Sequence, residues 1–310
     1  MTLWESITYP FRSPKLPLER EAMGFFTDTT LCIECKACEV ACKQWNQIPA
    51  DDMQWTGKSY DNTVTLSAST WRHVQFIEQF DEHRGNEESG VSASTLVPGG
   101  HAARQSGDGS ILEHLLATPK SGRWLMMSDV CKHCTEAPCQ LACPTGAIIH
   151  NEFRDVYIQN DICNGCGYCV AACPFGVITR STLDGHAHKC TLCYDRQRDG
   201  LEPACAKTCP TQSIQFGPLA ELRIKAEKRL TELHARGQVS AYLYGHSGST
   251  TYPPLNAFFL LLDNPQVYGL PEIATLPQLA LRSDYLRASV GAMVALAAIV
   301  LSFVSRTHGL

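Results

Sequence analysis

Residues 128–148, SDVCKHCTEAPCQLACPTGAI, and residues 160–178, NDICNGCGYCVAACPFGVI, are two versions of one pattern. Each opens with a polar pair and a C-x2-C, continues to a C-x3-C and closes on Pro-x-Gly-x-Ile, and the first cysteines, Cys131 and Cys163, lie 32 positions apart. An internal repeat of this kind is read before anything else, because it sets the architecture. The segment joining the two copies, AIIHNEFRDVYIQ, has β-branched and aromatic residues on both sides of Asn151–Glu152, which predicts a hairpin. Residues 127–182 therefore read as one two-centre unit.

Working outward, two more cysteine runs flank this unit. The four runs are Cys32-x2-Cys35-x2-Cys38-x3-Cys42, Cys131-x2-Cys134-x4-Cys139-x3-Cys143, Cys163-x2-Cys166-x2-Cys169-x3-Cys173 and Cys190-x2-Cys193-x11-Cys205-x3-Cys209. Together they use all sixteen cysteines of the chain. If the first and fourth runs form a second unit, they meet across the first one, over 24–126 and 183–217.

The spacing selects a cubane iron–sulfur cluster. Each of its four irons needs one external thiolate, a C-x2-C-x2-C loop supplies three of them, and in two-cluster ferredoxins the cysteine after x3 ligates the other cluster. Runs that exchange a ligand have to come in pairs. The proline after Cys143, Cys173 and Cys209 restricts the preceding cysteine to extended geometry, turning its thiolate away from its own loop. Structural zinc takes two C-x2-C pairs and has no use for a third cysteine two residues on, so only the fourth run fits zinc by itself. A disulfide framework is disfavoured because no export signal is legible in residues 1–24 and cytosolic disulfides are rare. With no aspartate or tryptophan in place of a cysteine, four [4Fe–4S] clusters are expected rather than a three-iron variant.

Composition agrees with a metal-bearing globular chain. At 310 residues about two domains are expected, and 44% hydrophobic residues exclude a disordered or collagen-like chain. A net charge of −5 gives no reason to expect nucleic acid. No G-x-G-x-x-G turn, P-loop or H-E-x-x-H is present, so no residue is assigned a catalytic role. His133, His186 and His188 read as ordinary hydrogen-bonding histidines. Lys36, Lys43, Lys132 and Lys189 are interleaved with the cysteines and either offset cluster charge or point to solvent; Lys189, next to Cys190, leans to the former.

Elsewhere, Leu219, Leu222, Ala226, Leu230 and Leu233 predict an amphipathic helix over 218–236 that Gly237 stops. Residues 257–262 predict a buried strand, and a Pro/Gly-rich stretch leads to Pro277. Residues 85–110, rich in Gly and Ser, predict a loop insertion. The stretch 288–305, ASVGAMVALAAIVLSFVS, is uncharged between Arg287 and Arg306. At about 1.5 Å per residue it reaches roughly 27 Å, which predicts a C-terminal transmembrane helix over 285–306 following an irregular extension over 218–284.

The runs FFTDTTLCIECKACEVACKQWN, WLMMSDVCKHC, QNDICNGCGYCVAACPFGVI, KCTLCYDR, EPACAKTCPT and FFLLLDNPQVYGLP resemble the iron–sulfur (beta) subunits of membrane-bound formate dehydrogenases. The resemblance implies an α+β fold of two ferredoxin-like two-cluster units, with a non-catalytic role. Electrons would be relayed from a molybdenum or tungsten bis-pterin catalytic subunit toward a cytochrome b and quinone. It also implies the ligand sets: Cys32, Cys35, Cys38 and Cys209; Cys190, Cys193, Cys205 and Cys42; Cys131, Cys134, Cys139 and Cys173; Cys163, Cys166, Cys169 and Cys143. By the same analogy the first/fourth unit lies nearer the catalytic subunit, and the cluster domain lies outside the cytoplasm, although Arg282 and Arg287 before the apolar stretch favour the cytoplasmic side. Glu34 departs from the family, standing where glycine is usual. The same relay role in a polysulfide or dimethyl sulfoxide reductase, or a hydrogenase, shares the ligand spacing, as does a scaffold merely stapled by metal.

Overall fold

Two short apolar stretches far apart in sequence, MGFFTD and AFFLL, become neighbours at the centre of a sheet. The computed structural model describes residues 20–50, 55, 60–79, 123–249 and 251–307, with side chains of the last helix described over 285–301. In chain order the elements are β1 (Met23–Asp28), α1 (Ala37–Trp45), β2 (Arg72–Gln79), β3 (Arg123–Val130), α2 (Pro138–Leu141), β4 (Ile148–His150), β5 (Val156–Ile158), α3 (Tyr168–Ala172), β6 (Thr179–Arg180), β7 (Ala187–His188), α4 (Tyr194–Arg198), α5 (Ala204–Lys207), β8 (Ile214–Pro218), α6 (Leu219–Ala235), β9 (Tyr242–Tyr244), β10 (Ala257–Leu261) and α7 (Pro277–Thr307).

The largest sheet has the order β8-β1-β10-β9. β1 runs parallel to β10, with Phe25 opposite Ala257 and Phe26 opposite Phe258, and antiparallel to β8. Successive side chains of a strand point to opposite faces. Phe25 accordingly enters the core that contains Cys38, Cys131, Cys190 and Cys205, whereas Phe26 packs with Phe258, Leu222, Ala226 and Leu233 under α6. The sheet thus divides a cysteine-rich side from a helix-covered side. Gly24 lets β10 approach: a Cβ there would sit 2.0 Å from the Asn256 carbonyl oxygen.

The predicted hairpin is present as β4 paired with β5, Ile148 opposite Ile158. The helix expected over 218–236 forms as α6, with Leu219, Leu222, Ala226 and Leu233 buried and Gly237 at φ +86° after it. The strand expected over 257–262 is β10. Residues 85–110 lie outside the described residues.

Of the described residues, those up to 76 and from 126 onward form one compact body, and those within 77–125 another. The described part of the second body is the far ends of β2 and β3, where Arg123 Nε donates to Gln79 Oε1 at 2.6 Å.

One expectation is corrected. Among the described residues no helix is long and apolar enough to cross a membrane. The 288–305 stretch does fall in a helix, α7, but its eighteen uncharged residues, Ser289, Ser302 and Ser305 among them, rise only about 27 Å, short of the ~30 Å of a hydrocarbon core. The transmembrane assignment for 285–306, and with it a single-pass location with the cluster domain on the outer side, is not supported.

Candidate metal centres

In each cysteine run the residue before the second cysteine lies in the left-handed region: Glu34 (φ +62°), His133 (+42°), Gly165 (+71°) and Leu192 (+54°). This one reversed residue coils the C-x2-C so that both thiols face the same space. Three of the four positions carry side chains, and such a conformation is uncommon for them. Only at Gly165 would a Cβ collide, 2.4 Å from the Gly185 carbonyl oxygen. Glu34 therefore occupies the glycine-like position without obstruction. It is half-exposed, and partial burial holds its carboxyl above the ordinary range.

A short helix then joins the third and fourth cysteines of each run. Cys38 and Cys42 both lie in α1, whereas Cys139, Cys169 and Cys205 lie in α2, α3 and α5 and Cys143, Cys173 and Cys209 follow those helices, Cys173 with extended backbone. Within α1 the two side chains share a face, about 6 Å apart along the axis, and in the other three runs the last cysteine turns off the end of the helix. One run can thus serve two centres. α1 packs on α5, which joins the first run to the fourth, and α2 packs on α3, which joins the second to the third.

The cavities follow from this packing. One is lined by Cys32, Cys35, Cys38 and Cys209. A second is lined by Cys143, Cys163, Cys166 and Cys169, and a third by Cys131, Cys134, Cys139 and Cys173. Each takes three cysteines from one run and the last cysteine of its partner. The remaining four gather as well: Asn46 Nδ2 lies 3.7 Å from Cys42 Sγ and 4.0 Å from Cys193 Sγ, and Cys42 feels the charges of Cys205 and Cys193.

All sixteen cysteines are free. Among the described residues no three His, Cys, Asp or Glu side chains converge closely enough for a single ion. Zinc would draw its sulfurs to about 2.3 Å from one point. Thiols that surround one cavity without converging on a point suit a multi-iron cluster. Burial also pushes the thiols up, Cys38 and Cys134 to about 12, Cys169 and Cys193 to about 11, and Cys139 and Cys190 well above their ordinary value. Loading such sites with iron requires deprotonation and so releases protons.

Cations surround the centres. Lys132 is 1% exposed and paired with Asp129, with the rings of Phe259 and Phe175 at 5.0 and 5.5 Å. Lys189, 2% exposed, donates to the carbonyls of Val156 and Cys190; burial opposes its charge, but Cys131, Cys139 and Cys190 outweigh that and raise it. Lys36 is half-buried beside Glu39 and Asp61, and Lys43 reaches the Pro49 carbonyl at 3.4 Å. His133 accepts from the Val156 amide at Nδ1; burial first, then Lys189, hold it well below its ordinary value, so the ring is neutral. His188 pairs with Asp184 at 2.9 Å.

Four contacts had no signal in the cysteine spacing. Tyr252 donates its hydroxyl to Cys134 Sγ at 3.0 Å, and Ser128 Oγ lies 3.3 Å from Cys38 Sγ. Asn46 reaches two thiols, and Arg72 is buried among four of them. Asn46 and Ser128 lie near cysteines in sequence, but Arg72 and Tyr252 lie in segments without a repeat.

Paired runs, exchanged cysteines and buried thiols around open cavities define a multi-cluster ferredoxin-type electron-transfer protein. A family model described as a 4Fe-4S dicluster domain matches residues 122–219. The formate dehydrogenase iron-sulfur subunit of Haemophilus influenzae is 38% identical over 249 residues, 79% of this chain and 67% of that protein. The iron-sulfur subunit of the nitrate-inducible formate dehydrogenase of Escherichia coli is 36% identical over 249 residues, 79% of this chain and 71% of its own. A subunit of the anaerobic dimethyl sulfoxide reductase of Escherichia coli is 29% identical over 202 residues, 65% of this chain and 76% of its own. The chain belongs to the family of formate dehydrogenase iron–sulfur subunits. It is an electron-transfer subunit carrying [4Fe–4S] clusters, with cysteines enough for four, and not a catalytic subunit.

Proposed function

We propose that this chain carries electrons from a molybdenum or tungsten bis-pterin formate dehydrogenase subunit toward a cytochrome b subunit. The clusters would be held by the four exchanged sets: Cys32, Cys35, Cys38 and Cys209; Cys42, Cys190, Cys193 and Cys205; Cys131, Cys134, Cys139 and Cys173; Cys143, Cys163, Cys166 and Cys169. The observation that carries the reading is the lining of the three cavities, each with three cysteines of one run and the last of its partner. When bound, a [4Fe–4S] cluster accepts and releases one electron at a time, with a potential set by charge, hydrogen bonds to sulfur and exposure.

The chain's own residues do the rest. The paired helices bring two runs together in each unit, the left-handed residues coil each C-x2-C, and the buried cations offset charge. The ferredoxin-like units would span 24–126 with 183–217, and 127–182. The first/fourth unit would face the catalytic subunit.

The test is a cysteine exchange. The anaerobically purified chain is expected to hold about sixteen irons. Cys173→Ser should disturb the cluster built on Cys131, Cys134 and Cys139 and leave the one built on Cys163, Cys166 and Cys169, as read by EPR of the reduced protein. Loss of the Cys163 cluster instead would overturn the sets. In the complex, formate should reduce the clusters; reoxidation by dimethyl sulfoxide with no response to formate would overturn the donor.

A further inference from the structure

Arg72 is the largest fully buried side chain among the described residues, at 1% exposure, and it lies outside every cysteine run. It opens β2, and the Phe25 ring of β1 packs against its guanidinium carbon at 4.8 Å. Nη1 donates to the Ser128 carbonyl and to Ser128 Oγ, both at 3.2 Å, and that hydroxyl lies 3.3 Å from Cys38 Sγ. Nε and Nη2 find no acceptor among the described residues. Buried donors of a charged group are almost always satisfied, so two orphaned ones point to an acceptor the polypeptide itself does not supply.

The surroundings say what that acceptor is. Burial alone works against the charge, yet the fields of Cys205, Cys38, Cys190 and Cys42 hold it above its ordinary value. Cys38 belongs to one ligand set and Cys42, Cys190 and Cys205 to the other, both in the first/fourth unit. No carboxylate is paired with Arg72 among the described ion pairs, in contrast to Lys132, which Asp129 neutralises. A cubane held by four thiolates is anionic and gains one more negative charge on reduction. Burying two of them in one core demands a counter-charge.

We propose that Arg72 is the shared counter-cation of the two clusters in the first/fourth unit, donating Nε and Nη2 to their sulfurs and so raising the potentials of both. The inference rests on the ligand sets proposed above. It adds a residue that makes the reduced form of one cluster pair easier to reach, while leaving the second/third pair to its own cations. The planar guanidinium suits the role because its fixed fork serves two acceptors at once while staying charged when buried.

The test is a potentiometric EPR titration of the full cluster-loaded chain, with signals assigned to the first/fourth unit through Cys209→Ser and Cys42→Ser. Arg72→Met should lower the potentials of that pair, changing the oxidised-to-reduced ratio at fixed potential at least tenfold, about 59 mV for one electron. The second/third pair should move less, and Arg72→Lys should recover more than half of the shift. Should Arg72→Met fail to load iron, wild-type protein labelled with 15N-arginine decides: pulsed EPR of the reduced state should show 15N coupling at both first/fourth clusters, lost in Arg72→Lys.

Unchanged potentials with iron content intact, an equal shift of all four clusters, or no 15N coupling in the wild type would each overturn the role of Arg72. Cysteine variants that disturb the wrong clusters would instead overturn the ligand sets, whatever Arg72 does.

Discussion

The two cluster-bearing units differ in how they are assembled. The second and third runs are adjacent in sequence, joined by the β4–β5 hairpin, and need only α2 on α3 to bring their cysteines together. The first and fourth runs are separated by that whole unit and meet through α1 on α5, under a sheet whose central pairing joins Phe25 to Ala257. The cations differ in the same sense. Lys132, in the second run, is matched by the protein's own Asp129, whereas Arg72, beside the first, has two donors without acceptors among the described residues. The cation of the local repeat finds its counter-charge within the chain; the one beside the run assembled from distant segments keeps two donors for the cofactor.

The largest effect that sharpens this contrast is expected from Lys132→Met. It leaves Asp129, 6% exposed, as a buried carboxylate without its cation, which typically costs about 3–5 kcal/mol. Denaturant unfolding followed by loss of cluster absorbance should show it. Arg72→Met strands no protein carboxylate, and its effect should appear in the cluster potentials. A Lys132→Met chain as stable as the wild type would show that Asp129 does not depend on that cation.

Gly24→Ala is the next test, aimed at the long-range unit. Its Cβ would meet the Asn256 carbonyl oxygen at 2.0 Å and Leu219 Cδ2 at 2.5 Å, forcing β1 and β10 apart. Overpacking of this kind costs about 1–3 kcal/mol. Iron release monitored over time should then be faster from the first/fourth pair, with the second/third pair holding. Release at one rate from all four clusters would show that the two units are not independent.

The smallest effect is expected from Tyr252→Phe. Burial, and then the neighbouring Cys134, hold the phenol well above its ordinary value, so the hydroxyl remains a donor to that sulfur. Losing one hydrogen bond of about 1 kcal/mol should lower the potential of the cluster on Cys131, Cys134 and Cys139 by no more than roughly 40 mV, since the potential follows only the part of that energy that differs between the redox states. A shift in a different cluster would relocate the hydroxyl's partner.

How much of this was legible follows from where the information resides. The cysteine runs, the hairpin and α6 were readable because their signals are local: ligand spacing, a turn between β-rich segments, apolar residues at helical intervals. The left-handed residue before each second cysteine was only half visible, marked by glycine at Gly165 but hidden at Glu34, His133 and Leu192. Arg72 and Tyr252 were not readable at all. Their role comes from β2 and from the stretch before β10 arriving beside cysteines, and no periodicity records that. The C-terminal stretch misled in the opposite way, because its uncharged composition suggested a span that the described helix does not provide.

The parallel pairing of β1 with β10 also sets an order of events during synthesis. Phe25 and Phe26 leave the ribosome more than 230 residues before Ala257 and Phe258, their partners in the sheet. At 5–20 residues per second, β1 waits roughly 10–50 s for that neighbour. Within that interval the second and third runs are already complete and free to fold, while Cys32, Cys35, Cys38 and Cys42 remain open to oxygen and to stray metal. Cell machinery that delivers iron and sulfur therefore meets a chain with one unit ready and one unfinished.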